Sequence, residues 1–253
     1  VLMDALGKDH DSYEGESYTV RRDYTGDLDT MLYPLAPTAD DEIYYDKETT
    51  YATVEEIQSN FDPRITTVNP VKEGSLVMYR DSFGNALLPY MADAYANAYF
   101  SRGIPYQLTD VEAHSADTVI IERAERFLPE MSQFPPVLTA KEISLTEDEE
   151  LQGSDGAVDV KIKPQGMTAQ LSGRIKEGLL DTDSRIYLKV NGSVYEAFPM
   201  DVKVEENLDD NGFCLYLPSE LVAADGNDVE ILIEKDNKIY NIYQNNIKED
   251  SIQ

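Results

Sequence analysis

Residues 75–100, SLVMYRDSFGNALLPYMADAYANAYF, decide the fold, because an apolar run from Ser75 to Tyr79 breaks at Arg80 into a small polar cluster before helix-forming residues resume. Ser75 to Tyr79 alternates too little for a half-exposed strand and is too short for a helix, so it reads as a buried strand. A strand that turns sharply at Asp81-Ser82 and feeds a helix can lift a serine hydroxyl above a parallel sheet. The same residues also make an ordinary capped helix start. Ser82 is therefore either a nucleophile on a turn or a helix cap. A helix is expected from about Pro89 to Tyr99, with a short strand just after it.

Working outward, Thr118 to Ile121 in DTVIIERAERFLPEM reads as a second buried strand, and Arg123 to Leu128 as a short helix continuing from it. Glu122, Arg123, Glu125 and Arg126 offer ion pairs that would fix that strand's carboxyl end. Strands alternating with helices imply a parallel sheet. The Ser82 turn then lies at the carboxyl end of a central strand, where open α/β sheets place their ligands. Residues 1–145 form this α/β unit. Pro135 and Pro136, the acidic run Glu147 to Glu150, and Gly153 and Gly156 mark a boundary. Residues 155–253 carry about seven short alternating segments, spaced as in an all-β immunoglobulin-like sandwich. Its two antiparallel sheets would pack around Val160, Leu171, Ile186, Leu188, Leu215, Ile231 and Ile233. Asn191-Gly192 is the strongest hairpin signal in the chain.

The chain has 253 residues, with 49 acidic against 21 basic residues and a net charge of -28. Such a field repels nucleic acid and anionic membranes, so nucleic-acid binding is excluded. One cysteine, Cys214 in GFCLYL, excludes an internal disulfide and any multi-cysteine metal site. Its apolar neighbours suit a buried small hydrophobe, with a reactive thiol as the alternative. Neither LDDNG nor AADGND matches a calcium loop, and both read as hairpin turns. No metal or cofactor is expected. The tyrosines of EIYYDKETTY could stack on sugars or pack as a surface loop. No apolar run is long enough to cross a membrane, so a membrane tether would have to lie upstream. Val1 to Lys8 has the pattern of a helix's last two turns with Gly7 as the stop, which leads us to expect an earlier part.

A serine nucleophile needs a base, usually a histidine oriented by a carboxylate. The two histidines, His10 in GKDHDSYEG and His114 in LTDVEAHSADT, both lie in loops, where a solvated histidine is the default and a base the alternative. Arg102, beyond the elbow helix, could reach a ligand carboxylate or an acyl oxygen. The nucleophile reading makes Asp81, Phe83, Gly84, Asn85 and Arg102 oxyanion or substrate contacts.

LMDALGKD, SYTVRRDYTGDLDTML, GSLVMYRDSFGNALLPYMADAY and DTVIIERAERFL, in that order over residues 1 to about 130, resemble the SGNH-hydrolase-like DHHW family related to the alginate O-acetyltransferases. The resemblance implies a flavodoxin-like α/β fold, an extracytoplasmic or cell-envelope location, and acyl-ester chemistry on an acylated polysaccharide or cell-wall glycan, as O-acetyltransferase or esterase. Ser82 in RDSFG matches the family's nucleophile position. The family's Asp-x-His or Asp-His-His-Trp motif would lie upstream of the helix that opens this sequence. The sequence has no tryptophan, and neither histidine occupies that place. A longer parent protein is the expectation. The alternative is a catalytically incomplete envelope protein that binds glycan or a partner through its β-sandwich.

Overall fold

The computed structural model describes residues 2–7, 13–145, 149–151, 153 and 155–250. The first half runs α1 (Leu2–Ala5), β1 (Tyr18–Tyr24), α2 (Asp27–Leu32), β2 (Asp40–Tyr45), β3 (Ala52–Thr53), β4 (Arg64–Val68), β5 (Ser75–Tyr79), α3 (Leu88–Ala94), β6 (Asn97–Ser101), α4 (Thr109–Ala113) and β7 (Thr118–Ile121). A 3-10 stretch, Glu125–Gln133, follows. The second half runs β8 (Glu142–Ile143), β9 (Glu149–Leu151), β10 (Ala157–Gln165), β11 (Thr168–Ile175), β12 (Arg185–Val190), β13 (Ser193–Val204), β14 (Asn207–Pro218), β15 (Asn227–Lys235) and β16 (Lys238–Ile247).

The flavodoxin-like parallel α/β sheet does not form. A five-stranded mixed sheet in the order β3-β4-β6-β5-β7 stands in its place. Only β6, β5 and β7 run parallel, while β3 and β4 add antiparallel. The expected helix from Pro89 to Tyr99 stops at Ala94, and β6 starts at Asn97. Three parallel strands with helices of seven and five residues between them are too little to cover both faces as a doubly wound layer does. What the stretch from Ser75 does show is a central strand: Leu76, Val77, Met78 and Tyr79 are at most 1% exposed. Its period of two sends Leu76 and Met78 to one face with Leu88, Met91, Ala92 and Tyr95 from the α3 segment. Val77 and Tyr79 face the other side, against Leu108, Val111 and Ala116.

The two-sheet sandwich is likewise replaced. Strands β10-β11-β14-β13-β12-β15-β16-β9 are one continuous sheet, curled into a half-barrel, with β8 beside β13. The hinge of this arrangement is β13, twelve residues long. Its residues up to Ala197 pair with β12, and those from Phe198 onward pair with β14. One strand thus serves both walls, where a sandwich would end it and start another. Pro199 sits two residues past Ala197, the last residue paired with β12, and the strand continues through it. The bridges Asp155–Tyr243 and Ile162–Glu249 draw the two margins of the curl together. Leu171, Ile186, Leu188, Leu215, Ile231 and Ile233 fill the interior, and Val160 is only partly buried against them. Asn191 and Gly192 both take positive φ and join Val190 to Ser193 as a two-residue hairpin. Cys214 is fully buried, and burial pushes its thiol pKa up, the direction of an inert cysteine.

Candidate functional site

The chain leaves β5 through Arg80, whose N–H still donates to Ser101 O (2.9 Å) as if the strand continued. Arg80 is 2% exposed. Its guanidinium donates to Asn85 Oδ1 and to Asp62 O (3.0 Å), and burial with Arg102 nearby pulls its pKa down to about 10. Asp81 then turns the backbone. Its Oδ1 accepts from Phe83 N–H (2.8 Å) and its Oδ2 from Ala124 N–H (2.7 Å), so the carboxylate ties the turn to the segment leaving β7. Glu122, one residue past β7, accepts from Asp81 N–H at 3.0 Å through Oε2. Ser82 follows at φ -70, ψ -23, exposed, and its hydroxyl and N–H have no partner among the described residues. Gly84 and Asn85 are buried beneath it in a short 3-10 turn, Phe83–Asn85. Asn85 Nδ2 is buried without an acceptor among the described residues.

Asp81, Phe83, Gly84 and Asn85 are therefore brought to Ser82 by the turn itself. Asp81 is a clamp, with both carboxylate oxygens engaged. Phe83 is half exposed and carries the Arg126 guanidinium 5.2 Å over its ring. Arg102 donates through Nη1 to Phe61 O (2.9 Å) and holds residues 61–63 beside Arg80. His114 ends α4, its ring stacked 4.1 Å from that of Tyr99. Tyr99 pairs with Val77, two residues and roughly 7 Å along the strand before Tyr79, so this imidazole does not meet Ser82. His10 lies outside the described residues. A groove of about 670 Å³ runs along β4, lined by residues including Asp62, Arg64, Tyr99 and Gly103, and Ser82 is not among them.

The residues that sequence reasoning took as ion pairs have divided. Arg123 pairs with Glu130 (2.7 Å) and stacks on Phe127, whereas Glu122 points to Asp81. The two carboxyls are neighbours, linked through the Asp81 N–H. Burial and the neighbouring Asp81 charge push Glu122 above the ordinary carboxylate range. Asp81 is held below it despite burial, by the N–H groups of Ala124 and Phe83 and by the Glu122 carboxyl. Because the raised group is Glu122, its contribution to stability is full below its unfolded pKa near 4.5 and is lost as pH rises through the higher folded value. Glu122→Gln, which stays uncharged, is expected to flatten the stability-versus-pH curve above that point, measured as urea midpoints across pH 4 to 8. An unchanged curve would mean that folding does not raise the Glu122 pKa.

No family model matches the chain, and no curated protein matches it significantly. Among solved structures, a DHHW family protein from Eubacterium siraeum superposes over 48% of this chain and 52% of its own, with 13% identity and a TM-score of 0.39. PatB1 from Bacillus cereus carrying a sulfonyl adduct covers 50% of this chain and 55% of its own at 14% identity, TM-score 0.38. PatB1 without that adduct covers 50% and 57% at 13% identity, TM-score 0.38. The chain spans about half the length of the solved structures it matches, and one of them carries the family name that the sequence motifs suggested.

Proposed function

We propose that this chain carries the nucleophile half of a serine O-acyltransferase or esterase acting on an acylated cell-envelope polysaccharide outside the cytoplasm. One observation carries the reading: Ser82 stands exposed, with hydroxyl and N–H unengaged among the described residues, just past the carboxyl end of β5, a strand of the mixed sheet flanked by parallel neighbours on both sides. Its Oγ would attack the acyl carbon and displace the sugar oxygen. The resulting acyl-serine would pass to water or to a second sugar hydroxyl. The Ser82 N–H is the oxyanion donor this turn offers, since the N–H of Phe83 belongs to Asp81 and that of Asp81 to Glu122. Donors of this kind are worth about 3 kcal/mol each in the transition state. The base comes from a residue that the described part does not bring to Ser82.

Incubation with a fluorophosphonate, read by intact mass and peptide mapping, is expected to add one label at Ser82, and Ser82→Ala is expected to abolish both label and p-nitrophenyl acetate turnover. Labelling spread over several serines, or turnover that survives the substitution, overturns the assignment. The engaged N–H groups of Asp81 and Phe83 favour a second reading, in which the turn is a structural clamp and the β half binds glycan without catalysis. Absence of any label together with saturable glycan binding supports that reading.

A further inference from the structure

On the outer face of the curled sheet, β10, β11 and the far end of β13 enclose a groove of about 580 Å³. Lys161 lies opposite Ser172 and Lys163 opposite Gln170 across the β10–β11 ladder, while Lys203 closes the β13 side. Two bulges shape the concavity, one in β10 between Val158 and Lys161 and one in β14 between Asp209 and Gly212, opposite Met200 and Val202. Asp159, inside the first, is held at φ 56, a left-handed conformation that costs free energy for a residue with a Cβ. Bulges of this sort re-aim side chains next to binding sites.

The charge pattern is the unusual feature. In a chain of net charge -28, Lys176, Lys189 and Lys235 each sit on a carboxylate. Lys161, Lys163 and Lys203 have no such partner among the described residues, as Lys141, Lys238 and Lys248 have none, but these three line one groove. Arg174 at its floor is paired with Asp209 (2.9 Å), and its Nε is buried without an acceptor. Asp159 and Asp250 also line the groove, leaving three free cations against two carboxylates. At physiological salt the Debye length is about 8 Å, so the acidic remainder of the chain is largely screened from a ligand seated here.

We propose that this groove holds an anionic sugar residue of a glycan, its carboxylate or phosphate between Lys161, Lys163 and Lys203 and its apolar face toward Met200 and Val202. An extended peptide would instead add to the free margin of β10, and Asp250 already occupies it by donating to Ile162 O at 2.8 Å. The proposal names a ligand class for the polymer in the reading above but rests on other residues, and Ser82→Ala is expected to leave binding unchanged.

The test is an NMR titration of the full chain at physiological salt with four probes: a galacturonate hexamer, a phosphorylated maltohexaose, maltohexaose and a hexaglutamate peptide. The expected result is saturable shifts at Lys161, Lys163, Ser172 and Arg174 with one or both anionic polymers, the tighter naming the anion. Binding should weaken about tenfold in Lys161→Gln/Lys163→Gln/Lys203→Gln. It should be unaffected by Lys189→Gln, a lysine outside the groove that pairs with Glu230. Equal binding of maltohexaose or hexaglutamate, no binding by either anionic polymer, or unchanged affinity in the triple variant overturns the proposal.

Discussion

Phe213→Ala is expected to destabilise the β half by about 3–5 kcal/mol, the range for truncating a fully buried aromatic, and to lower its melting temperature by on the order of 10 °C. Phe213 is 0% exposed in the interior of the curl. The gap cannot easily collapse, because β14 is locked in register on both sides, by β11 and by β13. Directly across the ladder stands Gly173. A Cβ there would come 2.7 Å from Phe213 Cζ and 3.1 Å from Val160 Cα, so the ring occupies the space a side chain would need. Gly173→Ala alone should therefore cost about 1–3 kcal/mol by overpacking. Combined with Phe213→Ala, the new methyl enters the vacated space, and the double variant should be more stable than the sum of the singles by about 0.5–3 kcal/mol. Denaturant unfolding of the four proteins measures this directly, and additivity within about 0.5 kcal/mol would sink it.

That core was legible in the sequence, and the reason is periodicity. Alternation in TAQLSGRI, and in DVEILIEK apart from Leu232, marks an inner and an outer row wherever the strands go, since one residue of slip would expose the whole apolar set. How the rows close was not legible. Whether β13 ends near Phe198 or runs on to Val204 separates a sandwich from a single curled sheet, and local alternation does not carry that. In the first half the buried strand at Ser75 to Tyr79 was visible as a continuous apolar run. The flavodoxin-like sheet around it was inferred from alternation of strands and helices, and failed because those helices are a turn or two long. The β1–β2 ribbon shows the opposite limit. All of β1 is exposed, so no burial pattern existed to be read.

At the site, the motif located Ser82 and its neighbours but not their chemistry. Asp81 and Glu122 are forty-one residues apart and meet because β5 and β7 are adjacent parallel strands in register, with Tyr79 opposite Ile121. Pairing between strands is a long-range fact that local spacing does not carry. A carboxylate within two residues of the end of each of two neighbouring strands is the one sequence signal of it, visible once their adjacency is known.

The same adjacency makes Gly84→Ala the sharpest test of the turn. Its φ lies in the ordinary region, so an alanine backbone is allowed and any cost must come from contacts. A Cβ at Gly84 would stand 2.6 Å from Arg80 Cβ and 2.6 Å from Glu122 Oε2. Arg80 Cβ cannot swing aside, because it is bonded to a backbone still on the strand's ladder, and the guanidinium beyond it is held by Asn85 and Asp62. The Glu122 carboxyl could move only by releasing Asp81 N–H. Overpacking with both neighbours pinned should cost toward the upper part of the 1–3 kcal/mol range. Glu122→Ala in the same chain should recover only part of this, since the Arg80 contact remains. Glu122→Gln, which keeps the bulk, should recover none. Gly84→Ala should also flatten the pH dependence assigned to Glu122 and slow fluorophosphonate labelling of Ser82 while leaving the β half's unfolding unchanged. A variant that melts within about 1 °C of the parent, and labels at the parent's rate, would show that the turn tolerates the extra carbon and that Glu122 is not packed against it.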